Sequence, residues 1–248
     1  MKGPEDYQPA WMLLSYNKPV EVSSALPNHP KENVAGEDIR KYWSAATENK
    51  GEWVMIDLES QCNVNAVQIN FAEEGTTILG NTTGRSDSIY YQYLLEYSTD
   101  KKNWKKLADK TSNKTDVPHD YIELSTPVSA KYIRLTNYHI PDGKFAVSGL
   151  RIFGKGTGKA PQPVAAFTVT RDTADKRNAI LTWKKDADAV GYNIRYGTAP
   201  DKLYENYQVL NTDSLTIHSL SKLQQYYFTI DAFNENGITK GKRIAEGR

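Results

Sequence analysis

Three stretches of this sequence gather side chains able to act on a ligand. Residues 23–43 carry Asn28, His29, Glu32, Asp38 and Arg40. Residues 72–91 carry Glu73, Glu74, Arg85, Asp87 and Tyr90, and residues 137–145 carry Tyr138, His139, Asp142, Lys144 and Phe145. This mixture suits recognition of a polyhydroxylated molecule. An aromatic ring packs on an apolar ring face, while imidazole, guanidinium, amide and carboxylate groups address hydroxyls. A fourth stretch, NKTDVPHDY at 113–121, sets Asp116, His119 and Asp120 around a proline. It reads as a polar binding lip or as an Asx-type turn in which Asp116 accepts backbone N–H groups, and the turn is favoured.

Covalent and acid–base chemistry finds little footing. The four histidines, His29, His119, His139 and His218, lie at no close helical metal-ligand spacing. No G-x-S-x-G, H-E-x-x-H or Gly-rich phosphate loop occurs. Glu73 and Glu74 are adjacent at a strand end and point to opposite sides, so they do not flank one bond as an acid/base pair must. Cys62 is the one cysteine, which excludes an intrachain disulfide and a cysteine metal site and reads as a buried thiol. A net charge of +1 gives no broad case for nucleic acid or an anionic membrane. No segment approaches the roughly 20 apolar residues of a membrane span.

The elements that must position these loops are strands. Short apolar runs of period 2, separated by turn residues, occur throughout, with no long amphipathic helix. The first set is 53–58, 65–71, 93–98, 121–124, 132–138 and 149–154. Val54, Ile56 and Leu58 share one side of their strand, as do Val67, Ile69 and Phe71. The turn STDKKNW at 98–104 joins two strands through good turn formers. Between 154 and 163 the composition shifts to GKGTGKAPQP, a short interdomain linker. A second β pattern follows, with Ile180 and Trp183 near a core and alternation at Tyr192, Ile194, Tyr196 and at Tyr226, Phe228, Ile230, Ala232. At 248 residues the chain has room for two domains.

Several landmarks carry a family resemblance. KPVEVSSAL, KYWSAATENKGEWVMIDL, LLEYSTDKKNW, AKYIRLTNY and GLRIFG follow one another as in discoidin-like (coagulation factor V/VIII type C) domains. Leu220 lies six residues before Tyr226, which resembles the tyrosine corner of fibronectin type III domains. WMLLSYNKPVEVSSAL, VNAVQINFAEEG and YHIPDGKFAVSGLRIFG further resemble the region that follows the catalytic domain in family-43 glycoside hydrolases of gut Bacteroidetes.

The resemblance implies an all-β chain: a lead-in at 1–16, a discoidin-like, galactose-binding-like β-sandwich at 17–155, a linker at 156–162 and a fibronectin type III sandwich at 163–248. It implies a non-catalytic carbohydrate-binding accessory region. That region would serve a secreted polysaccharide-degrading enzyme acting on plant-type glycan, with an oligo- or polysaccharide and an upstream catalytic domain as partners. Periplasmic or extracellular location follows. The opening residues read as a chain passing between domains, and a cytosolic protein is the alternative. Carried over from galactose-type modules, His29, Arg85, Tyr138, His139 and Phe145 are the candidate sugar contacts. Asp38 is the candidate ligand for a structural calcium ion. Calcium is not expected, because Ser148-Gly149 and Lys41 stand where relatives place a carboxylate and a threonine. Trp43, Trp53 and Trp104 fall at framework positions and are expected in the core. The competing reading is a module that packs on a catalytic domain through an apolar patch at Trp11, Met12 and Leu13, without a glycan site.

Overall fold

The computed structural model describes residues 9–76 and 89–247. They divide into two compact units, one of which is Leu13–Thr157, while the other consists mainly of the chain from Gly158 onward. Apart from a short 3-10 helix at Lys31–Ala35, the described elements are strands.

In the first unit the strands are β1 (Met12–Leu13), β2 (Val20–Val22), β3 (Trp43–Ser44), β4 (Trp53–Ala72), β5 (Gln92–Ser98), β6 (Lys105–Asp109), β7 (His119–His139) and β8 (Ala146–Gly156). They form one hydrogen-bonded system in the order β1-β8-β4-β7-β5-β6, with β2 on β4 and β3 on β8, and the pairings from β8 to β6 and those of β2 and β3 are antiparallel. Sequence reading divides 53–71 into two strands and 121–138 into two more. In the structure each pair is one long strand. The β4–β7 register breaks between Asp57 and Cys62, where Glu59 takes a left-handed φ of 63° and its N–H donates to Asp57 Oδ1 at 2.7 Å. Such a bulge bends a strand without ending it, so β4 runs on from Trp53 to Ala72.

The inward sets are those the alternation picks out. Val54, Ile56, Leu58, Val67 and Ile69 are essentially inaccessible, and Phe71 joins them in one core with Trp43, Leu95, Ile133, Leu135 and Ile152. Residues 13–15, within the stretch expected as a lead-in, lie in this unit. Met12–Leu13 extends the sheet beside β8, Leu14 is buried, and its N–H donates to the Ile152 carbonyl at 2.7 Å.

The second unit has a three-stranded sheet, β13-β10-β9, built from β9 (Phe167–Arg171), β10 (Ala179–Trp183) and β13 (Ser214–Ile217). Its larger sheet runs β12-β11-β14-β15 with β16 beside β14. These are β11 (Gly191–Gly197), β12 (Glu205–Leu210), β14 (Tyr227–Asn234), β15 (Gly237–Thr239) and β16 (Ala245–Glu246). Tyr192, Ile194, Tyr196, Phe228, Ile230 and Ala232 form the core with Ala179, Leu181 and Trp183. Ile180, expected inside, is 45% exposed, because alternation from Trp183 selects 181 and 179. The Tyr226 hydroxyl accepts the Ser221 N–H at 3.2 Å, tying the chain before β14 to the strand's start. The segment expected as a linker is largely hydrogen-bonded within this unit: the Gly158 N–H to Asn236, the Lys159 carbonyl to Asn234 and Asn236, and the Pro161 carbonyl to Thr239.

Candidate functional site

At one end of the first unit, Glu74 joins the three loops. β4 stops at Ala72, and Glu73 and Glu74 follow it in the bend that leads into the second loop. Glu74 Oε2 accepts the Tyr42 hydroxyl at 2.6 Å and lies 3.4 Å from His29 Nε2. The His29 and Tyr42 rings stack, with centroids 4.1 Å apart and planes 18° from parallel. The Glu74 carbonyl accepts the Lys144 N–H at 2.9 Å, which ties in the third loop. Gly143 makes this approach possible. Its φ of 78° is left-handed, and a Cβ there would run into the Glu74 carbonyl oxygen.

Tyr42 adjoins a core residue. Trp43 is fully buried, edge-on to Phe145, and its Nε1–H donates to the Ser24 carbonyl at 3.0 Å. Tyr42, just before β3, is half-buried. Burial first, then the Glu74 hydrogen bond and charge, push the Tyr42 hydroxyl up to about 12. It stays a donor across the physiological range. The site thus presents an aromatic pair backed by a carboxylate, held before any ligand arrives.

Beside it, Glu73 lines a small cleft of about 60 Å³ together with Thr76, Tyr91, Asp116, Asp142 and Lys144, over an apolar wall that includes Ile140 and Pro118. Burial, followed by the charges of Glu73 and Asp116, raises Tyr91 to about 12. A cleft with an aromatic wall and a polar rim can pack a ring face and hydrogen-bond its hydroxyls.

The structure brings only part of the expected set together. His29 is in the cluster. Phe145 is not a ligand platform: it is fully buried between Trp43 and Phe71, because β8 begins at the next residue and carries the chain inward. Tyr138 and His139 point to opposite sides of β7 and cannot serve one ligand together. Tyr138 lies under Lys50, 4.4 Å from its ring. His139 lies 4.4 Å from the Tyr90 ring, its Nε2 is buried without a hydrogen-bond partner, and burial pushes its pKa down. Arg85 lies outside the described residues.

Asp38 is engaged by Arg40 at 3.1 Å and Lys41 at 3.9 Å. Among the described residues no group of three or more His, Cys, Asp or Glu side chains could hold a metal ion. Asp38, the candidate calcium ligand, is thus paired with two cations. At 113–121 the turn bonds run through Asn113, whose side chain reaches the Thr115 carbonyl and N–H and the Tyr91 carbonyl. Asp120 accepts the buried Tyr93 hydroxyl at 2.6 Å. Of the framework tryptophans, only Trp43 is fully buried. Trp53 is half-buried, and so is Trp104, which lies on the outer face against Arg134, 4.0 Å from the ring. Tyr42 was missed as a candidate. Its pairing with Glu74 spans 32 residues and leaves no local signal.

No curated protein matches the chain. Solved structures similar to it include chitosan-binding module 2 of a Paenibacillus sp. IK-5 chitosanase/glucanase in complex with chitotriose. It is 19% identical, with 57% of this chain and 99% of that chain covered and a TM-score of 0.46. Another is a family 32 carbohydrate-binding module of Clostridium perfringens in complex with galactose, at 12% identity, with 57% and 96% covered and a TM-score of 0.45. The family model described as F5/8 type C domain matches residues 19–148. That is more than half of the 248 residues, and the chain belongs to this family.

Proposed function

We propose that this chain is a non-catalytic glycan-binding accessory region whose contact site is the loop end around Glu74. The carrying observation is the His29–Tyr42–Glu74 cluster beside the Glu73 cleft. It offers a ring stack, a fixed carboxylate acceptor and a polar-rimmed hollow at the junction of three loops. Family membership supports the reading. In the finer form of the proposal, the target is a plant-type glycan and the parent is a secreted family-43 glycoside hydrolase with its catalytic domain upstream. The second unit is then a fibronectin type III spacer, a reading supported by the Tyr226–Ser221 bond. Tethering raises the local substrate concentration for the attached enzyme. Calcium has no part in this reading.

The competing packing role expects an exposed apolar patch at Trp11, Met12 and Leu13. All three are half-buried, and Met12–Leu13 is engaged with β8, which favours the glycan reading. A glycan array probed with the whole chain, wild type beside Glu74→Ala and His29→Ala, is the test. A defined sugar lost in both variants is expected. A blank array, or a hit untouched by both, overturns the proposed site.

A further inference from the structure

We infer that the outer face of the β8-β4-β7 sheet is a second contact surface for a neutral, hydroxyl-rich glycan chain, separate from the loop end. Val67, Ile69, Ile122, Leu150 and Ile152 of these strands pack on the core, so Gln68, Asn70, Tyr121, His119 and Arg151 face away from it. The registers arrange them in two rows. Tyr121, Gln68 and Arg151 lie side by side, and the row beyond holds His119, Asn70 and Gly149.

The polar groups form one chain of hydrogen bonds across three strands. Glu37 accepts from Arg151 Nε and Nη2 at 3.2 and 2.5 Å, and Arg151 Nη1 donates to Gln68 Oε1 at 3.4 Å. Gln68 Nε2 donates to Asn70 Oδ1 at 3.3 Å, and His119 Nδ1 stands 3.1 Å from the same oxygen. That oxygen can only accept, so Nδ1 carries a proton and a neutral His119 presents Nε2 outward as an acceptor. Both amides are likewise fixed in orientation. Asn70 Nδ2 donates no hydrogen bond among the described residues.

Gly149 leaves the notch that exposes this amide. A Cβ at that position would come within 3.1 Å of Asn70 Nδ2. Tyr121 is 51% exposed. The surface therefore combines an open ring, fixed donors and a fixed acceptor. Its guanidinium is already neutralised by Glu37, so the charge balance suits an uncharged polyol chain and not a phosphate backbone or an anionic membrane. Successive rows of a strand stand about 6.6 Å apart, a spacing that lets one extended chain touch both.

The test is affinity electrophoresis of the whole chain through gels containing xylan, arabinan or soluble β-glucan, carried out in a Glu74→Ala background that disables the loop end. Retarded migration in at least one gel is expected. Tyr121→Ala and Gly149→Val should each weaken it, by about threefold to tenfold for the lost ring contact. Circular dichroism confirms folding, and Lys155→Ala on the same strand β8 serves as a surface control. No retardation in the Glu74→Ala background overturns the inference while leaving the loop-end reading intact. Retardation unchanged by Tyr121→Ala and Gly149→Val overturns it as well.

Discussion

The Tyr42 hydroxyl donates to Glu74 Oε2 at 2.6 Å across 32 residues of chain. The bond joins the loop before β3 to the segment after β4, and its acceptor is charged. Hydrogen bonds to charged groups contribute about 1.5–3 kcal/mol. Tyr42→Phe is expected to lower stability by roughly that amount and to weaken glycan binding. The Tyr42 pKa adds a pH signature. The folded value of about 12 lies above the ordinary 10.0. The contribution is therefore complete below pH 10.0 and is lost as pH rises through about 12. Ultraviolet titration of tyrosinate should show one fewer late-titrating group in Tyr42→Phe. An identical titration would remove the assignment.

Phe145 separates packing from recognition. It is fully buried and meets Trp43 edge-on at 5.5 Å. Phe145→Ala should cost about 3–5 kcal/mol, as buried Phe truncations do. Urea melts measure this. Isothermal titration at low temperature, where the variant is folded, should then give near wild-type glycan affinity. A selective loss of affinity with unchanged stability would restore Phe145 as a ligand platform.

The fold was legible where a single face decides burial. Val67, Ile69 and Phe71 alternate with Gln68 and Asn70, and a one-residue slip would expose all three, so the pattern fixes the inward side. Tyr226 was singled out by its spacing from Leu220, and its hydroxyl accepts the Ser221 N–H. The candidate site was less so. Nothing local in 137–145 distinguishes a loop aromatic that faces solvent from one that begins the next buried strand, and Phe145 is the latter. Glu59 hides the continuity of β4, since a bulge resembles a turn in sequence. The pairing of Tyr42 with Glu74 depends on long-range topology, which no local spacing encodes.

Glu52 makes the first unit acid-sensitive. Its carboxylate receives the hydroxyls of Ser23, Ser24 and Thr47. Burial raises its pKa, but the hydroxyl donors together outweigh burial and leave it below the ordinary 4.5. A depressed folded value means stability that is present above pH 4.5 and lost as pH falls through the folded pKa. Glu52→Gln should lower stability at neutral pH and flatten the acid limb of a stability–pH curve. An acid limb as steep as that of wild type would assign the effect to another carboxylate.

Tyr226→Phe tests the second unit. The substitution removes the acceptor of the Ser221 N–H and leaves the ring in place. A loss of about 1 kcal/mol is expected, read from chemical denaturation of the whole chain. Glycan binding should be unchanged, since neither proposed surface involves this unit. Reduced binding would show that the second unit contributes to recognition.

Gly143 and Gly75 form an internal control for the geometry of the loop end. Both adopt left-handed backbone, at φ of 78° and 66°. A Cβ on Gly75 meets nothing within 4 Å, whereas one on Gly143 meets the Glu74 carbonyl oxygen, the acceptor of the Lys144 N–H. Alanine at either position carries the conformational cost of a left-handed L-residue, about 1–2 kcal/mol. Only Gly143→Ala must also displace Glu74, and with it the acceptor shared by Tyr42 and His29. Gly75→Ala is therefore expected to lose stability but keep glycan affinity, while Gly143→Ala loses both, with a fall of at least about tenfold in affinity if Glu74 is in contact. Equal affinities in the two variants would mean that the position of Glu74 does not govern binding, and the site would have to move away from this cluster.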